Sequence, residues 1–351
     1  MPRDDYALAT ASPALSDPTW YRTDVPRAAI RALMHKDDRI AGRDALLWLG
    51  LLVVSGGVAS WLWPSLWSLP FWFVYGTLYG SGSDARWHEC GHRTAFATPW
   101  KNEVLYHIAS FMLLRNPYVW RASHVRHHTD TIIVGRDPEI QAMRPPDLFK
   151  MFLNIFSLLH GRDQLVRMVL HARGRLHPDE ETYVRDQDRP KVYLAARITL
   201  AIHLGAVLWA ALAASWVPVL LIGLPHFYGA WQRVMTGTLQ HLGMAENVTD
   251  HRLNTRTVLM NPLHRFLYLN MNYHVEHHMF TMVPYYNLPK LHALLAHDLP
   301  APDRSIGAAY RRLLPVLWRQ LRYKDAVIVP DLPPTATPYR PEVEKLRPHA
   351  V

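Results

Sequence analysis

Two long stretches of the chain contain no charged side chain. The first runs from Ala45 to Ser83 and the second from Ile198 to Gln232. A helix needs about 20 mostly apolar residues to cross a bilayer, so each stretch is long enough for two crossings. Each stretch also has a break that suits a turn, at Trp63-Pro64-Ser65 and at Ala214 to Pro218. The pattern predicts two hairpins of transmembrane helices, at about 45–63, 66–83, 193–213 and 217–236.

Buried helices in the core of a soluble protein are the alternative explanation for such stretches. Two paired uncharged runs of this length are unusual there, because the helices of soluble proteins carry polar residues on one side. We therefore predict an all-α integral membrane protein. Four transmembrane helices in two hairpins would carry a helical cap on the cytoplasmic side.

The remaining segments divide the chain into three parts. Residues 1–43 are predicted to be a cytoplasmic leader that ends, from Trp20 to Arg43, in a helix lying at the membrane interface or in solvent. Residues 44–325 form the membrane domain, with a soluble insertion at 84–191 between the hairpins. Six prolines after Val329 predict an extended, proline-rich tail at 326–351.

The basic residues indicate how these parts are oriented. Lys and Arg gather in 1–43, 84–191 and 237–351, and the two hairpin turns have none. Positive residues favour the cytoplasmic side, which predicts both termini there. The chain has 38 basic and 29 acidic residues, a net charge of +9. A basic face beside a bilayer attracts anionic headgroups or an acidic protein partner. Nucleic acid is not expected as a partner, because no nucleic-acid-binding motif accompanies the charge.

Cysteine is nearly absent from the sequence. The single residue, Cys90, excludes an internal disulfide and a cysteine-ligated iron–sulfur cluster in this chain. No signal peptide is expected, because Met1-Pro-Arg-Asp-Asp is followed by no apolar run until about residue 45. Membrane insertion is therefore expected to depend on the internal spans.

Three short histidine clusters carry the candidate chemistry. They are His88-Glu-Cys-Gly-His92, His124-Val-Arg-His127-His128 and His274-Val-Glu-His277-His278. Residues three and four apart share a face of a helix, so the rings of each cluster point in nearly the same direction. Neutral imidazole is the commonest metal ligand among side chains and suits zinc, copper, iron and nickel. The clusters predict a metal site assembled by folding, and the predicted topology puts it on the cytoplasmic side.

The number of imidazoles bears on the number of metals. Eight exceed the needs of one ion, which takes about four protein ligands in a zinc site. They suit two ions with four or five nitrogens each, and an all-nitrogen shell suits oxygen activation by iron. A further histidine, His241, ends the fourth predicted span at the depth of the clusters. By position alone it is either another ligand or an ordinary interfacial residue.

Three carboxylates are candidates for orienting ligand rings from behind. Asp84, His88 and His92 fall at successive steps of four, so one helix face carries all three. Asp130 and Asp137 follow the second cluster. Each has an alternative role, because Asp84 suits a helix end, and Asp130 and Asp137 suit a helix cap and a turn.

Two other functions share part of this pattern. His88-Glu-Cys-Gly-His92 is also an H-E-x-x-H motif, in which the glutamate would serve as the general base of a zinc protease. That chemistry leaves six clustered histidines unexplained. A metal transporter would place ligands at bilayer depth, where only His203 and His226 lie.

The order of the clusters, with hairpins between them, resembles the membrane fatty acid desaturase superfamily. The resemblance covers roughly residues 45–295. It includes Gly135-Arg-Asp-Pro-Glu139 after the second cluster and Asn272-Tyr-His-Val-Glu-His-His278 in the third. The stretch from Gln240 to Asn261 is similar to a bacterial subgroup of desaturases and oxygenases. The first cluster has three intervening residues, whereas first clusters of the family often have four.

The resemblance implies a di-iron centre that uses O2 as co-substrate on the cytoplasmic face of a bacterial inner membrane. It implies that a histidine after the fourth span, here His241, is a ligand as well. The implied iron ligands are His88, His92, His124, His127, His128, His241, His274, His277 and His278.

The implied reaction is the desaturation of a fatty acyl chain on a lipid or carrier. The same histidine series occurs in membrane hydroxylases, so hydroxylation of a hydrocarbon or small metabolite is the alternative. Both reactions consume two electrons per turnover, and the chain has no recognisable electron-transfer domain. We expect an external ferredoxin or cytochrome b5-like donor, with its reductase, to dock on the basic face.

Overall fold

The computed structural model describes residues 20–140 and 144–339. The predicted leader up to residue 19 and the last part of the predicted tail lie outside these ranges. Within them the chain forms helices α1 Arg27–Leu33, α2 Asp38–Leu62, α3 Leu69–Gly76, α4 Gly82–Gly91, α5 Pro99–Met112, α6 Pro117–Thr129, α7 Leu148–Leu153, α8 Leu158–Ala172, α9 Arg189–Leu212, α10 Val217–Leu221, α11 Pro225–Tyr228, α12 Trp231–His241, α13 His251–Asn254, α14 Pro262–Tyr268, α15 His274–Met279, α16 Leu288–Leu295 and α17 Ile306–Gln320.

The prediction of an all-α fold is confirmed for the described residues. They contain no β-strand, and their extended pairing is limited to two isolated bridges, Thr257 with Tyr273 and Val258 with Asp303. Short 3₁₀ turns join several of the helices.

Two helical stretches in the described part of the chain are long and apolar enough to cross a membrane. They are Arg27–Leu62 and Asp186–Leu212, identified by length and composition alone. They contain α2 and α9, which match the spans predicted at 45–63 and 193–213. The Asp37 side chain caps α2 by accepting a hydrogen bond from the Arg39 amide. The helix ends at Leu62, just before Pro64, which has no backbone N–H to donate.

The segment predicted as the second span runs directly into the first histidine cluster. A 3₁₀ turn at Leu66–Ser68 leads into α3, and a π-helical segment at Thr77–Ser81 joins α3 to α4 without a break. The Trp48 indole of α2 donates to the carbonyl of Leu78 over 2.9 Å and fixes the two helices together. His88 and His92 therefore lie on the continuation of an apolar helix.

The segment predicted as the fourth span, at 217–236, differs from a single helix. It forms α10, α11 and α12 in succession, and α12 extends to His241. Pro218 and Pro225 start α10 and α11, because proline fits the first turn of a helix but interrupts its interior. Gly229 follows α11, and a Cβ atom there would lie 1.7 Å from the Gly76 carbonyl oxygen. Only glycine permits this close approach to α3.

The segment from Trp20 to Arg43 contains α1, which packs against the protein. Ile30 and Leu33 contact the main buried cluster, and the Asn287 amide donates to the carbonyl of Leu33 over 2.8 Å. The same buried cluster includes Trp87, Tyr106 and residues of α15 and α16. It forms the floor that holds the histidine-bearing helices in place.

Candidate metal centre

Helix α4 supplies two of the predicted histidines. His88 and His92 are four residues apart at its C-terminal end and share one face. The buried Arg86 guanidinium anchors the helix by donating to the carbonyls of Gly82 and Leu267, over 2.7 and 3.1 Å.

Helices α6 and α15 each supply an H-x-x-H-H series. The Asn116 side chain caps α6 by accepting from the Tyr118 amide over 3.3 Å. Helix α15 begins directly after Tyr273, which is bridged to Thr257. The buried Glu276 carboxylate fixes α15 by accepting from the Thr257 hydroxyl over 2.6 Å and by contacting His292.

The fold brings the nine predicted histidines into two adjacent groups. Within each group the nearest ring nitrogens lie within 4.8 Å of one another, which is close enough to hold a metal ion. The group of five is His88, His92, His124, His128 and His277, and the group of four is His127, His241, His274 and His278.

Helices α6 and α15 contribute to both groups. Helix α6 gives His124 and His128 to the group of five and His127 to the group of four, whereas α15 gives His277 to the first and the other two to the second. The rings four residues apart lie about 40° apart around the helix, whereas the two adjacent rings lie about 100° apart, so the packing of the helices can send adjacent rings to different groups. The groups touch where the rings of His128 and His278 stack with centroids 4.3 Å apart.

In the group of five, the Nε2 atoms converge on one point. His88 Nε2 lies 2.8 Å from His277 Nε2, and His124 Nε2 lies 2.9 Å from His92 Nε2. His128 Nε2 lies 3.3 Å from the Nε2 atoms of both His124 and His277. In the group of four, His274 Nε2 lies 3.0 Å from His241 Nε2 and 3.2 Å from His278 Nε2.

Hydrogen bonds at the outer nitrogens assign the tautomer of several rings. His124 Nδ1 lies 3.0 Å from a Glu139 oxygen, and His127 Nδ1 lies 2.8 Å from Asp137. His241 Nδ1 lies 3.0 Å from the carbonyl oxygen of Asn254. Because these oxygens only accept, the proton of each neutral ring is on Nδ1, and Nε2 presents a lone pair.

The same reasoning assigns His278. The single hydroxyl hydrogen of Thr131 is donated to the carbonyl oxygen of His127 over 2.7 Å. The Thr131 oxygen therefore accepts from His278 Nδ1, 3.2 Å away. His278 Nε2 then also presents a lone pair to its group.

Burial keeps most of these rings neutral. Burial first, and the neighbouring histidines second, lower the pKa well below the usual range of imidazole for His88, His92, His128, His241, His274, His277 and His278. At His127 burial also lowers the pKa, but the charge and hydrogen bond of Asp137 outweigh it, and the net pKa is raised.

These observations fit bound metal ions. Neutral imidazoles whose lone pairs converge over about 3 Å repel one another unless a cation or proton lies between them. The outer nitrogens are held by carboxylates, a carbonyl and a hydroxyl, the arrangement that orients metal-ligating histidines. The all-nitrogen donor set suits iron, copper, nickel or zinc.

The three candidate carboxylates behave differently. Asp137 contacts a histidine of the group of four, as described above, and also accepts from the backbone amides of Ile132, Glu139 and Ile140. Its pKa is lowered, because the His127 charge and these hydrogen bonds outweigh the effect of burial.

Asp84 and Asp130 form ion pairs with arginines. Asp84 forms an ion pair with Arg115 over 2.7 Å, and Asp130 pairs with Arg136 and Arg126 over 2.8 and 3.3 Å. Their ion pairs within the described ranges thus run to arginines instead of to ligand rings. Arg115 lies 31 residues further along the chain than Asp84, whereas Arg126 and Arg136 are near Asp130 in the sequence.

Sequence reasoning missed several groups that contact the rings. Glu139 stood in the motif after the second cluster, two residues beyond Asp137 in the same turn, and this position was a usable signal. Thr131 could have been found in the same way, because it lies three residues after His128. Asn254 had no local signal, because its carbonyl reaches His241 from a helix 13 residues further along the chain.

The H-E-x-x-H glutamate is directed away from the centre. Glu89 is fully buried and accepts from the backbone amide of Tyr285 over 3.1 Å. Burial raises its pKa to about 7 despite hydrogen bonds from Thr94 and Tyr285. A residue adjacent to His88 lies about 100° around the helix from it, so Glu89 faces the α16 side. This placement does not suit the general base of a protease.

Comparison with known proteins identifies what the chain is similar to. The model of the family described as fatty acid desaturase matches residues 64–310, a range that contains all nine histidines. An sn-1 oleoyl-lipid 12-desaturase of Arthrospira platensis is 24% identical, over 75% of this chain and 73% of its own length.

Plant proteins match over a similar range. An sn-2 acyl-lipid omega-3 desaturase (ferredoxin) from the chloroplast of Arabidopsis thaliana is 22% identical, over 80% of this chain and 66% of its own length. A Delta(12)-fatty-acid desaturase of the same plant is 25% identical, over 62% of this chain and 63% of its own length.

Proposed function

The chain belongs to the fatty acid desaturase family and is an oxidoreductase, and on that premise we propose that it is a membrane di-iron enzyme that uses O2 to introduce a double bond into a fatty acyl chain on a lipid or carrier. The observation that carries this proposal is the division of nine histidines into neighbouring groups of five and four. Each group offers enough nitrogens for one ion.

The nine histidines are proposed as the iron ligands. Two bound irons would supply the activation of O2 and the removal of hydrogen from an unactivated C–H bond. The chain's own residues hold the lone pairs of Nε2 toward the ions, through Asp137, Glu139, Thr131 and the carbonyl of Asn254. Seven of the nine histidines are buried, which limits the access of water to the centre.

Variants of single histidines test the ligand assignment. We expect His124→Ala to lose iron and activity, measured by elemental analysis of the purified protein and by product formation. His107→Ala is the matched control, because His107 is an exposed histidine outside both groups and should keep its full iron content. A His124→Ala protein with full iron and full activity would contradict the assignment.

We propose that the protein is a multi-pass membrane protein, placed in the inner membrane of a bacterium with its metal centre facing the cytoplasm. Exposed apolar side chains on the two long helices support this location. Val53 and Trp61 of α2 are 74% and 81% exposed, and Leu212 of α9 is 80% exposed. Extended apolar surface of this kind is covered by lipid or protein. Extraction of membranes with alkaline carbonate should leave the protein in the pellet, whereas release into the supernatant would contradict it.

An external ferredoxin or cytochrome b5-like protein, supplied by a reductase, is proposed as the electron donor. The single cysteine leaves no ligands for an iron–sulfur cluster in this chain. One relative carries ferredoxin in its name, and the net charge of +9 favours an acidic partner. Raising the salt concentration should slow turnover with a protein donor, because salt screens charge attraction. A rate that stays unchanged in strong salt would contradict docking on a basic face.

Hydroxylation of a small polar metabolite is the second candidate. The observation that favours it is a small pocket beside His274. Polar side chains of Thr236, Gln240, Tyr268 and Asn272 line it together with apolar ones. The Asn272 side-chain oxygen is buried without a hydrogen-bond partner among the described residues, and an acyl chain would not supply one.

The product distinguishes the two candidates. The purified protein is incubated with a reductase system, O2 and a panel of acyl substrates and small metabolites, and the products are identified by mass spectrometry. Desaturation removes two hydrogen atoms from the substrate, whereas hydroxylation adds one oxygen atom. Conversion of an acyl substrate by loss of hydrogen supports the first candidate, and oxygen addition to a small metabolite supports the second.

A further inference from the structure

The segment between the two proposed hairpins contains an unusually apolar exposed surface. We call it the 148–158 patch, and its exposed members are Leu148, Phe149, Phe152, Ile155, Phe156 and Leu158. Phe149 and Phe152 are 69% and 65% exposed. The only charged side chain between Leu148 and Leu158 is Lys150. The sequence alone placed this segment in a soluble insertion.

The local fold forces these side chains outward. Helix α7 has only six residues, none of which is fully buried. A 3₁₀ turn at Asn154–Phe156 follows it directly. The Asn154 side chain accepts from the amides of Leu159 and His160, over 3.1 and 3.0 Å, and starts α8. Met151 alone of the α7 side chains packs on the buried cluster that α17 covers. The other apolar residues of the 148–158 patch stay on the surface.

The contacts of Ser157 and Gly161 place the patch beside the proposed spans. The Arg233 guanidinium donates to the Ser157 hydroxyl over 2.8 Å, and His226 Nε2 lies 3.2 Å from the same oxygen. A Cβ atom on Gly161 would lie 2.4 Å from the Phe227 ring, so the first turn of α8 packs tightly on α11. All three partners belong to the segment at 217–236.

The distance from the histidine groups gives the depth. Arg233 and His241 both lie on α12 and are eight residues apart, which at a rise of 1.5 Å per residue is about 12 Å along the helix. The patch is therefore displaced from the metal centre by about that distance, toward the proposed membrane interior. The hydrocarbon core is about 30 Å thick, so this displacement suits the cytoplasmic half of the bilayer.

We propose that the 148–158 patch is a third membrane-contacting element, a helical wedge that lies within the cytoplasmic leaflet without crossing the bilayer. Lipid acyl chains are its occupant, because α8, which follows the patch directly, packs against α9, whose exposed surface is apolar. Phe and Leu are typical of the apolar face of a helix that lies in the membrane interface. Lys150 pairs with Asp147 at the start of α7, and its long side chain reaches toward the headgroups. The proposal rests on the proposed membrane location.

Site-directed fluorescence in vesicles tests the wedge. The native Cys90 is buried, so a bimane label on the folded protein reports the introduced cysteine. Phe152→Cys is the test, with Phe149→Cys as a second position should the first fold poorly. Val53→Cys and Leu208→Cys report the proposed spans, and Glu181→Cys, an exposed residue of a polar segment, reports water. The full-length protein is reconstituted in phosphatidylcholine and phosphatidylglycerol.

The expected result is a loss of Phe152→Cys fluorescence with nitroxide-labelled acyl chains that equals the loss at Val53→Cys. Iodide in the buffer should quench Glu181→Cys and spare Phe152→Cys. If Phe152→Cys follows Glu181→Cys while Val53→Cys and Leu208→Cys are quenched by lipid, the wedge is refuted and the proposed spans stand. If the span positions are also quenched only by iodide, the membrane location fails together with the wedge.

A protein partner gives a different signature. Pyrene on Phe152→Cys would show excimer emission if the patch joined two copies of this chain, and lipid nitroxides would then quench it weakly. That result overturns the wedge. Quenching at Phe152→Cys without quenching at the span positions would retain the wedge and refute the spans.

Discussion

The two histidine groups differ in how the protein holds them. In the group of four, His127, His241 and His278 each have an outer nitrogen bonded to another part of the chain, whereas the buried Nδ1 of His274 has no partner among the described residues. In the group of five, His124 has such a bond to Glu139, but the outer nitrogens of His128 and His277 are buried without a partner among the described residues. The smaller group is therefore preorganised by the protein, whereas the larger one has an additional ring.

A symmetrical pattern in the sequence produces two unequal groups of histidines. Helices α6 and α15 carry the same H-x-x-H-H series, and each gives two rings to one group and one ring to the other. The remaining rings break the symmetry, because α4 adds two to the larger group and α12 adds one to the smaller. The larger group has more rings but fewer hydrogen bonds at their outer nitrogens. The smaller group has fewer rings but more of these hydrogen bonds.

The largest expected effect on iron content and activity comes from removing one histidine ring from each group in turn. We expect His274→Ala to lose most of the iron of its group and all activity, because only three of its four rings would remain. His92→Ala leaves four rings and should retain a larger fraction of its iron, although activity falls. The amount of iron per chain, measured by mass spectrometry, is compared between the two variants. Equal iron loss in the two variants would show that the groups do not act as separate sites.

Weakening the outer carboxylates should have the next largest effect. Replacing the outer partner of a ligand histidine lowers metal affinity by roughly 10–100-fold. We expect Asp137→Asn to lie at the upper end, because Asp137 also holds three backbone amides. Glu139→Gln should lie at the lower end. Competition with a chelator measures both.

Glu103→Gln is the matched control for these carboxylates. Glu103 pairs with Arg93 and Arg121 away from both groups, so its variant should hold iron as the unaltered protein does. An equal loss of affinity in all three variants would mean that the carboxylates act on overall stability.

Removing the Thr131 hydroxyl should have a smaller effect, confined to the group of four. Thr131→Val deletes the acceptor for His278 Nδ1 and the donor to His127, and a lost hydrogen bond is worth about 1 kcal/mol. That corresponds to roughly fivefold weaker iron binding, measured by the same chelator competition. Thr131→Ser keeps the hydroxyl and should restore the affinity. A Thr131→Ser protein as weak as Thr131→Val would indicate that packing of the methyl group matters instead.

The smallest effect is expected at Glu89. Glu89→Gln retains an oxygen to accept from the Tyr285 amide, and the side chain faces away from both groups. We expect iron content to be unchanged and turnover to fall by no more than about threefold, within the range of a neutral buried substitution. Complete loss of turnover with full iron would make Glu89 a catalytic group and reopen the H-E-x-x-H interpretation.

Some features of the protein follow from the sequence alone. Helical spacing places the three rings of each H-x-x-H-H series on nearly the same side of their helix. Uncharged stretches identified α2 and α9, because length and composition suffice for an apolar helix. The nine histidines were found for the same reason, with the position of His241 supported by resemblance to a family.

Other features depended on the tertiary structure. Which group receives which ring, and which partners hold the outer nitrogens, depends on contacts between distant segments, such as His241 with Asn254 and His278 with Thr131. The same is true of Asp84, whose nearest partner Arg115 lies on another turn. The sequence predicted one apolar helix at 217–236, but prolines and the close packing of Gly229 on Gly76 divide this segment into three helices. Local spacing determines the direction of a side chain along its own helix, and only the packing of helices on one another determines what that side chain meets.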